Sequence, residues 1–288
     1  MDVPKRFQQF AEERHLLKDV SRQPSVGYVY VWRAFWPFIA DCKDEKQLRA
    51  GLKDAIMTMM KAGKLKPQSI NNYLRVVNEF LRWLHQKDGI VLIKLDKLKQ
   101  AANVRTQMTD EQVTQLIALK PKKLNDRRIY MMSLIILDTG LRLDKVRRLH
   151  STDVDFENLL ITVRRKGNKQ RRVPFSADLH KSLYKWCQKV GANWLFTTKS
   201  GKLVSARNVT RDLHTFGVVH LSIPEIGFDR MRRTMANNFI KRGGSVVNLQ
   251  KILGHTSVTT TMTYVHAQTE DAVKDHQHRS ILSDRIAP

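Results

Sequence analysis

Arg142, Lys166, Arg232, His255 and Tyr264 are side chains suited to chemistry at a phosphodiester. Guanidiniums clamp phosphate oxygens through charge-assisted hydrogen bonds and neutralise the charge that grows in a five-coordinate transition state. An ammonium can protonate a departing sugar oxygen. A phenol can attack phosphorus and conserve the bond energy as a phosphotyrosyl ester. Fixed cations then replace a divalent metal, and no carboxylate cluster or cysteine pair at metal-ligand spacing is apparent, so neither metal nor any other cofactor is expected. Three of the five residues fall in one stretch, 226–266, with 23 residues from Arg232 to His255 and nine more to Tyr264.

The elements around these residues follow from caps and periodicity. Asp229 is placed to cap a helix from Arg230 to Lys241 that Gly243 and Gly244 end, which sets Arg232 in the first turn, where free backbone N–H groups favour an anion. Ser245 caps the next helix, which stops at Gly254 with His255 just past it. Tyr264 is expected on a further short helical segment. Upstream, the capping box TDEQ at Thr109 opens a helix through Leu119. The strongly apolar NDRRIYMMSLIILDTGLR is a second helix, broken at Gly140 just before Arg142. Residues 159–175, LLITVRRKGNKQRRVPF, read as a β-hairpin turning at Lys-Gly-Asn-Lys. Arg164, Arg165, Lys166, Lys169, Arg171 and Arg172 make that ribbon basic enough to lie along a phosphate backbone. Residues 177–190 and 205–219 read as scaffold helices.

The first hundred residues carry a different pattern. Residues 1–17 are polar and leave little room for an extra domain. An aromatic-rich helix is expected over 25–42, bent or stopped near Pro37. In 45–62, Leu48, Leu52, Ile56 and Met59 share one face and Gly63 closes the segment. The third helix, capped by Ser69, has Ile70, Leu74, Val77, Leu81 and Leu84 inside, and Asn71, Asn72, Arg75, Arg82 and Lys87 on its other face. Helical periodicity fades over 88–108, and the boundary between two domains is placed near residue 104.

A chain of 288 residues is long enough for two domains, each with its own core. Lys and Arg total 51 against 27 Asp and Glu, a formal net charge of +24 that calls for a polyanion. Nucleic acid is the usual one, because each neutralised phosphate releases a condensed counterion. No apolar run is long enough to span a bilayer and no signal-peptide core follows the N-terminus. Cys42 and Cys187 lie far apart and suit a reduced cytosolic setting.

Taken in order, TGLRLDKV with Arg142, KGNK with Lys166, DRMRRTMA with Arg232, LGH with His255 and TYVH with Tyr264 resemble the tyrosine recombinases, the Xer, Cre and phage-integrase group. The resemblance implies a mainly α fold with a small antiparallel β-sheet. Residues 1–104 would be an N-terminal helical core-binding (SAM-like) domain, and 105–288 a mixed α/β catalytic domain. No separate arm-binding domain is expected. The implied activity is site-specific recombination through a 3′-phosphotyrosyl intermediate and a Holliday junction, performed by Arg142, Lys166, Arg232, His255 and Tyr264. DNA contacts fall to Arg75, Arg82, Arg164, Arg165, Lys169, Arg171 and Arg172. The implied partners are double-stranded DNA with inverted-repeat core sites and three further copies in a homotetramer, with no membrane. An accessory protein or partner recombinase stays open. The compartment is the cytoplasm, on the nucleoid. A non-catalytic DNA-binding relative and a type IB topoisomerase are the alternatives. The tail after Tyr264 is either a segment that docks on a neighbouring subunit or a frayed end.

Two positions depart from the pattern. The histidine usual three residues before the second arginine is Asp229, read either as a cap orienting Arg232 or as the acceptor of the Tyr264 proton. The acidic residue usual three after the first arginine is Lys145, beside Asp144, and a phosphate contact is its expected use.

Overall fold

A computed structural model of the chain describes residues 2–17, 22–99, 106–164, 170–191 and 193–264. The chain divides into two compact units, Met1–Val104 and Arg105–Pro288. The described residues are mainly helical, with one small antiparallel sheet among them. No helix among the described residues is long and apolar enough to cross a membrane.

Among the described residues the first unit holds four helices: α1 (Val3–Leu17), α2 (Arg22–Ile39), α3 (Glu45–Ala62) and α4 (Pro67–Asp88). The polar composition of 1–17 conceals an amphipathic helix. Val3, Phe7 and Phe10 fall on one face and are buried, so α1 is a wall of the core. Phe7 stacks on Trp32 at 4.0 Å and meets Phe80 edge-on at 5.2 Å. Pro37 lies in the last turn of α2, which runs two residues past it. Gly63 ends α3 in the left-handed conformation, at φ 64°. On α4 all five expected core residues are buried, but Pro67 opens the helix at its first turn and Ser69 sits inside it, making no cap.

The other face of α4 is not uniformly solvent-facing. Asn71 is buried, and its amide donates to Leu98 O (3.0 Å) and accepts from Leu98 N (2.8 Å). Asn78 does the same with Leu95, at 2.8 Å both ways. Two helical turns between the asparagines span about 10 Å, as do three extended residues between Leu95 and Leu98, so the two ladders match. The irregular segment after α4 is thereby strapped along it, its backbone groups satisfied by side chains.

In the second unit, α5 (Asp110–Ala118) starts with the Thr109–Gln112 capping box formed in both directions. The helix α6 (Leu124–Thr139) is buried nearly all round and forms the central post, against which α8 (Ala177–Val190), α9 (Ala206–Leu221) and α10 (Phe228–Lys241) pack. Between them come the short α7 (Leu143–Arg147), a turn of 3-10 helix, and the sheet: β1 (Val154–Asp155), β2 (Leu160–Arg164) and β3 (Gln170–Pro174), in that order. β1, only two residues long, carries no sequence signal. The hairpin register pairs Val163 with Arg171 and Thr162 with Arg172. Two short helices follow α10: α11 (Val246–Leu253) and α12 (Val258–Met262).

Candidate active site

Arg232 is buried, at 5% exposure, which a guanidinium tolerates only with its donors satisfied. Nη1 donates to Gly140 O, and Nη2 donates to Leu253 O at 3.0 Å and to His255 Nε2 at 3.0 Å. Gly140 caps the C-terminus of α6 and Leu253 is the last residue of α11. Both carbonyls thus belong to helix C-terminal ends, which lack intrahelical donors and carry partial negative charge. Burial first, and then the nearby Arg142 guanidinium, pull Arg232 down to about 10, which leaves it cationic at neutral pH.

Gly140 makes this junction possible. Its φ of 64° favours glycine, and a Cβ there would stand 2.7 Å from Leu253 Cδ2 and 2.9 Å from Met235 Sδ. The end of α6 therefore closes onto α10 and α11 with the carbonyl aimed at Arg232.

His255 follows the left-handed Gly254 that ends α11. Arginine has no acceptor, so the nitrogen 3.0 Å from Arg232 must be the unprotonated one. The proton then sits on Nδ1 and is donated to Thr261 Oγ1 at 2.9 Å. Burial, then Arg232, Arg142 and Arg171, push the imidazole down to about 4, so it is neutral across the physiological range. Tyr264 lies just past α12 rather than on it, its ring near-parallel to His255 with centroids 6.4 Å apart. It is half-buried, against the small cluster of Ala236, Leu249 and Leu253.

Arg142 is exposed at the start of α7 and acts on both Arg232 and His255 through its charge. Lys166, Arg165 and Lys169, together with the tail from residue 265 on, lie outside the described residues. Arg164 and Arg172 are exposed, and Arg164 reaches Asp153 at 3.5 Å. Arg171, expected beside them on the DNA side, sits instead on the inward face of β3 and donates from Nη1 to Lys251 O at 3.2 Å. Lys145 donates to Arg164 O at 2.8 Å, while Asp144 binds Arg147 and Arg148 at 2.7 and 3.2 Å. Arg75 and Arg82 are exposed on α4 in the other unit.

The capping expectation for Asp229 is corrected. The helix starts two residues earlier, with Gly227 at the N-cap, because the buried Phe228 is drawn into its first turn. Asp229 is an exposed first-turn residue that favours the helix dipole and raises the basicity of Arg232. Arg232 accordingly falls in the second turn, away from the free backbone N–H groups. Ser245 stands at the N-cap of α11 but makes no side-chain cap bond.

The opposite face of α10 was invisible in the sequence. Arg230 Nη2 donates to Gln107 O at 3.1 Å, Arg233 Nε to Thr106 O at 3.2 Å, and Thr234 Oγ1 accepts from Met108 N at 2.8 Å. The helix that carries Arg232 is thereby anchored to the first residues of its own unit. Among the described residues no group of three His, Cys, Asp or Glu side chains is arranged to hold a metal.

The phage integrase family matches residues 106–271, more than half of the chain, and the chain belongs to this family. Among curated relatives, tyrosine recombinase XerC of Histophilus somni is 22% identical over 256 residues, 86% of this chain and 84% of that protein. XerC of Psychromonas ingrahamii is 27% identical over 248 residues, 81% and 78% of the two chains. Among solved structures, the Tn1549 transposon integrase in complex with transposon right end DNA superposes with a TM-score of 0.78 at 19% identity, covering 97% of this chain and all 100% of that one. A lambda integrase dimer bound to a core site gives 0.72 at 13% identity, covering 92% and 95%. These two likenesses are of fold.

Proposed function

We propose that the chain is a site-specific DNA recombinase in which Tyr264 is the nucleophile and Arg142 and Arg232 clamp the scissile phosphate. The grouping of Arg232 on α10 with His255 just past α11 and Tyr264 just past α12 supports this most directly. As Tyr264 Oη bonds to phosphorus, the bond to the 5′ oxygen breaks. The phenol proton passes to solvent water and Lys166 supplies one to the leaving oxygen, which yields a 3′-phosphotyrosyl ester and a 5′-hydroxyl. An incoming 5′-hydroxyl reverses the step, so rejoining needs no external energy source. Neutral His255 holds the guanidinium plane of Arg232 through Nε2, so the clamp is ordered before substrate arrives.

Duplex DNA is the substrate that a net charge of +24 fits, with Arg75, Arg82, Arg164 and Arg172 exposed to meet phosphates. Four copies on two inverted-repeat sites, exchanging strands in pairs, complete the reading, and the nucleoid is the place of work. A nicked suicide substrate carrying the target site tests it. Wild-type protein should form a covalent adduct that Tyr264→Phe abolishes; no adduct at any salt concentration sinks the proposal. Asp229→Asn should keep most cleavage, since Asp229 is exposed and its charge is the smallest of the influences on Arg232, which stays cationic. Loss of cleavage with an intact fold would make Asp229 the acceptor of the phenol proton.

A further inference from the structure

The β-hairpin carries a run of basic residues that a sequence reading assigns together to the DNA backbone, but the register divides them. Successive residues of a strand face opposite ways. Val173 is buried and Arg172 exposed, so Arg171 shares the inward face with Val173 and with its cross-strand partner Val163, also buried. Its guanidinium reaches the final turn of α11 and donates from Nη1 to Lys251 O. That turn supplies Leu253 O, an acceptor of Arg232, and leads straight into His255. Gly254 between them leaves the space the guanidinium fills: a Cβ built there would stand 1.8 Å from Arg171 Nη1.

We infer that Arg171 is a positioning residue, which pins β3 to the end of α11 and so fixes Leu253 O and His255 around Arg232. Three observations agree. The strand register turns the side chain inward, the bond to Lys251 O spans 80 positions of sequence, and the glycine at 254 accommodates the contact. The charge of Arg171 is also among those that hold His255 neutral, after burial, Arg232 and Arg142. Among the described residues, Thr261, bound to Nδ1, and the stacked Tyr264 ring also pack about the imidazole. Lysine keeps the charge but not the planar fork, so the two contributions separate by substitution.

The inference rests on Tyr264-dependent cleavage being the activity, and its test reads both that activity and the imidazole itself. Cleavage of the nicked substrate is measured at saturating DNA for wild type, Arg171→Ala and Arg171→Lys, alongside DNA affinity. His255 is titrated by NMR in each protein, with His255→Gln assigning its resonance. For Arg171→Ala, cleavage at saturation should fall at least about tenfold, the loss expected of misplaced catalytic groups. Affinity should change little, and the His255 titration should move up. Arg171→Lys should keep the wild-type titration and recover only part of the cleavage. Weaker binding with normal cleavage at saturation would overturn the inference and return Arg171 to the phosphate backbone. An unmoved titration in Arg171→Ala with normal cleavage would overturn it equally. If wild type itself forms no adduct, the recombinase reading fails, while the titration still reports whether Arg171 governs the turn.

Discussion

Thr261→Val is the sharpest probe of how the site is held. Thr261 is fully buried, and its hydroxyl accepts the Nδ1 proton of His255 at 2.9 Å. Valine keeps the branched shape and removes the oxygen. The imidazole cannot escape by moving its proton or by flipping, because the first sets an N–H and the second a C–H against the donors of Arg232. The variant is left with an unpaired, partly buried donor, which costs about 1–3 kcal/mol. For a unit of this size that lowers the melting temperature by roughly 2–4 °C per kcal/mol. Cleavage of a nicked substrate should fall as well, by about tenfold, as the plane of Arg232 loosens. Scanning calorimetry and covalent-adduct formation measure the two effects, and Thr261→Ser should restore both by returning the oxygen. A Thr261→Val protein that melts and cleaves like wild type would show that Nδ1 does not carry the proton, and the account of the buried clamp would be wrong.

The imidazole has a consequence for pH dependence. His255 is held near 4 in the fold, below its usual 6.5, so between those values the unfolded chain binds the extra proton. Stability should therefore fall as pH drops from about 6.5 to about 4 and then level off, by about 1–2 kcal/mol once solvent screening of this partly exposed ring is allowed for. His255→Gln should remove that part of the slope in denaturant titrations at a series of pH values. Asn71→Ala and Asn78→Ala should each cost about 1–3 kcal/mol, because each orphans a backbone N–H and C=O of the strapped segment. Equal melting temperatures for the Asn71→Ala variant and wild type would deny the strap any energetic role. Gly140→Ala should cost more than Gly63→Ala, although both glycines have a φ of 64°. Only Gly140 adds overpacking, worth about 1–3 kcal/mol, against Leu253 and Met235. Urea unfolding of the pair measures the difference, and equal losses would mean that the junction has slack.

Much of the helical framework was legible because it is written in local chemistry. The capping box at Thr109, the glycine stops at Gly63, Gly140 and Gly254, and the inner face of α4 depend on residues a few positions apart. The order of Arg232, His255 and Tyr264 along the chain was likewise visible. What could not be read depends on partners distant in sequence. The apolar side of α1 is three residues wide in a polar stretch, and only packing against Trp32 and Phe80 gives it meaning. Asp229 looks like a cap until Phe228, buried by tertiary contacts, moves the helix start. The direction of Arg171 is a property of strand register, and six neighbouring basic residues share one composition whichever way they face. Two of the three acceptors of Arg232 leave no trace in residue type, because they are backbone oxygens.

Anchoring a buried cation on backbone oxygens has an evolutionary consequence. A cation anchored by a carboxylate is lost when the carboxylate mutates, and a second change must then restore it. Here two of the three acceptors are peptide oxygens, present whatever side chains occupy α6 and α11, so long as those helices end where they do. Selection for the clamp is thereby shifted from partner identity to helix length and to the shape of one glycine. The surrounding sequence is left free to drift while the guanidinium stays in place.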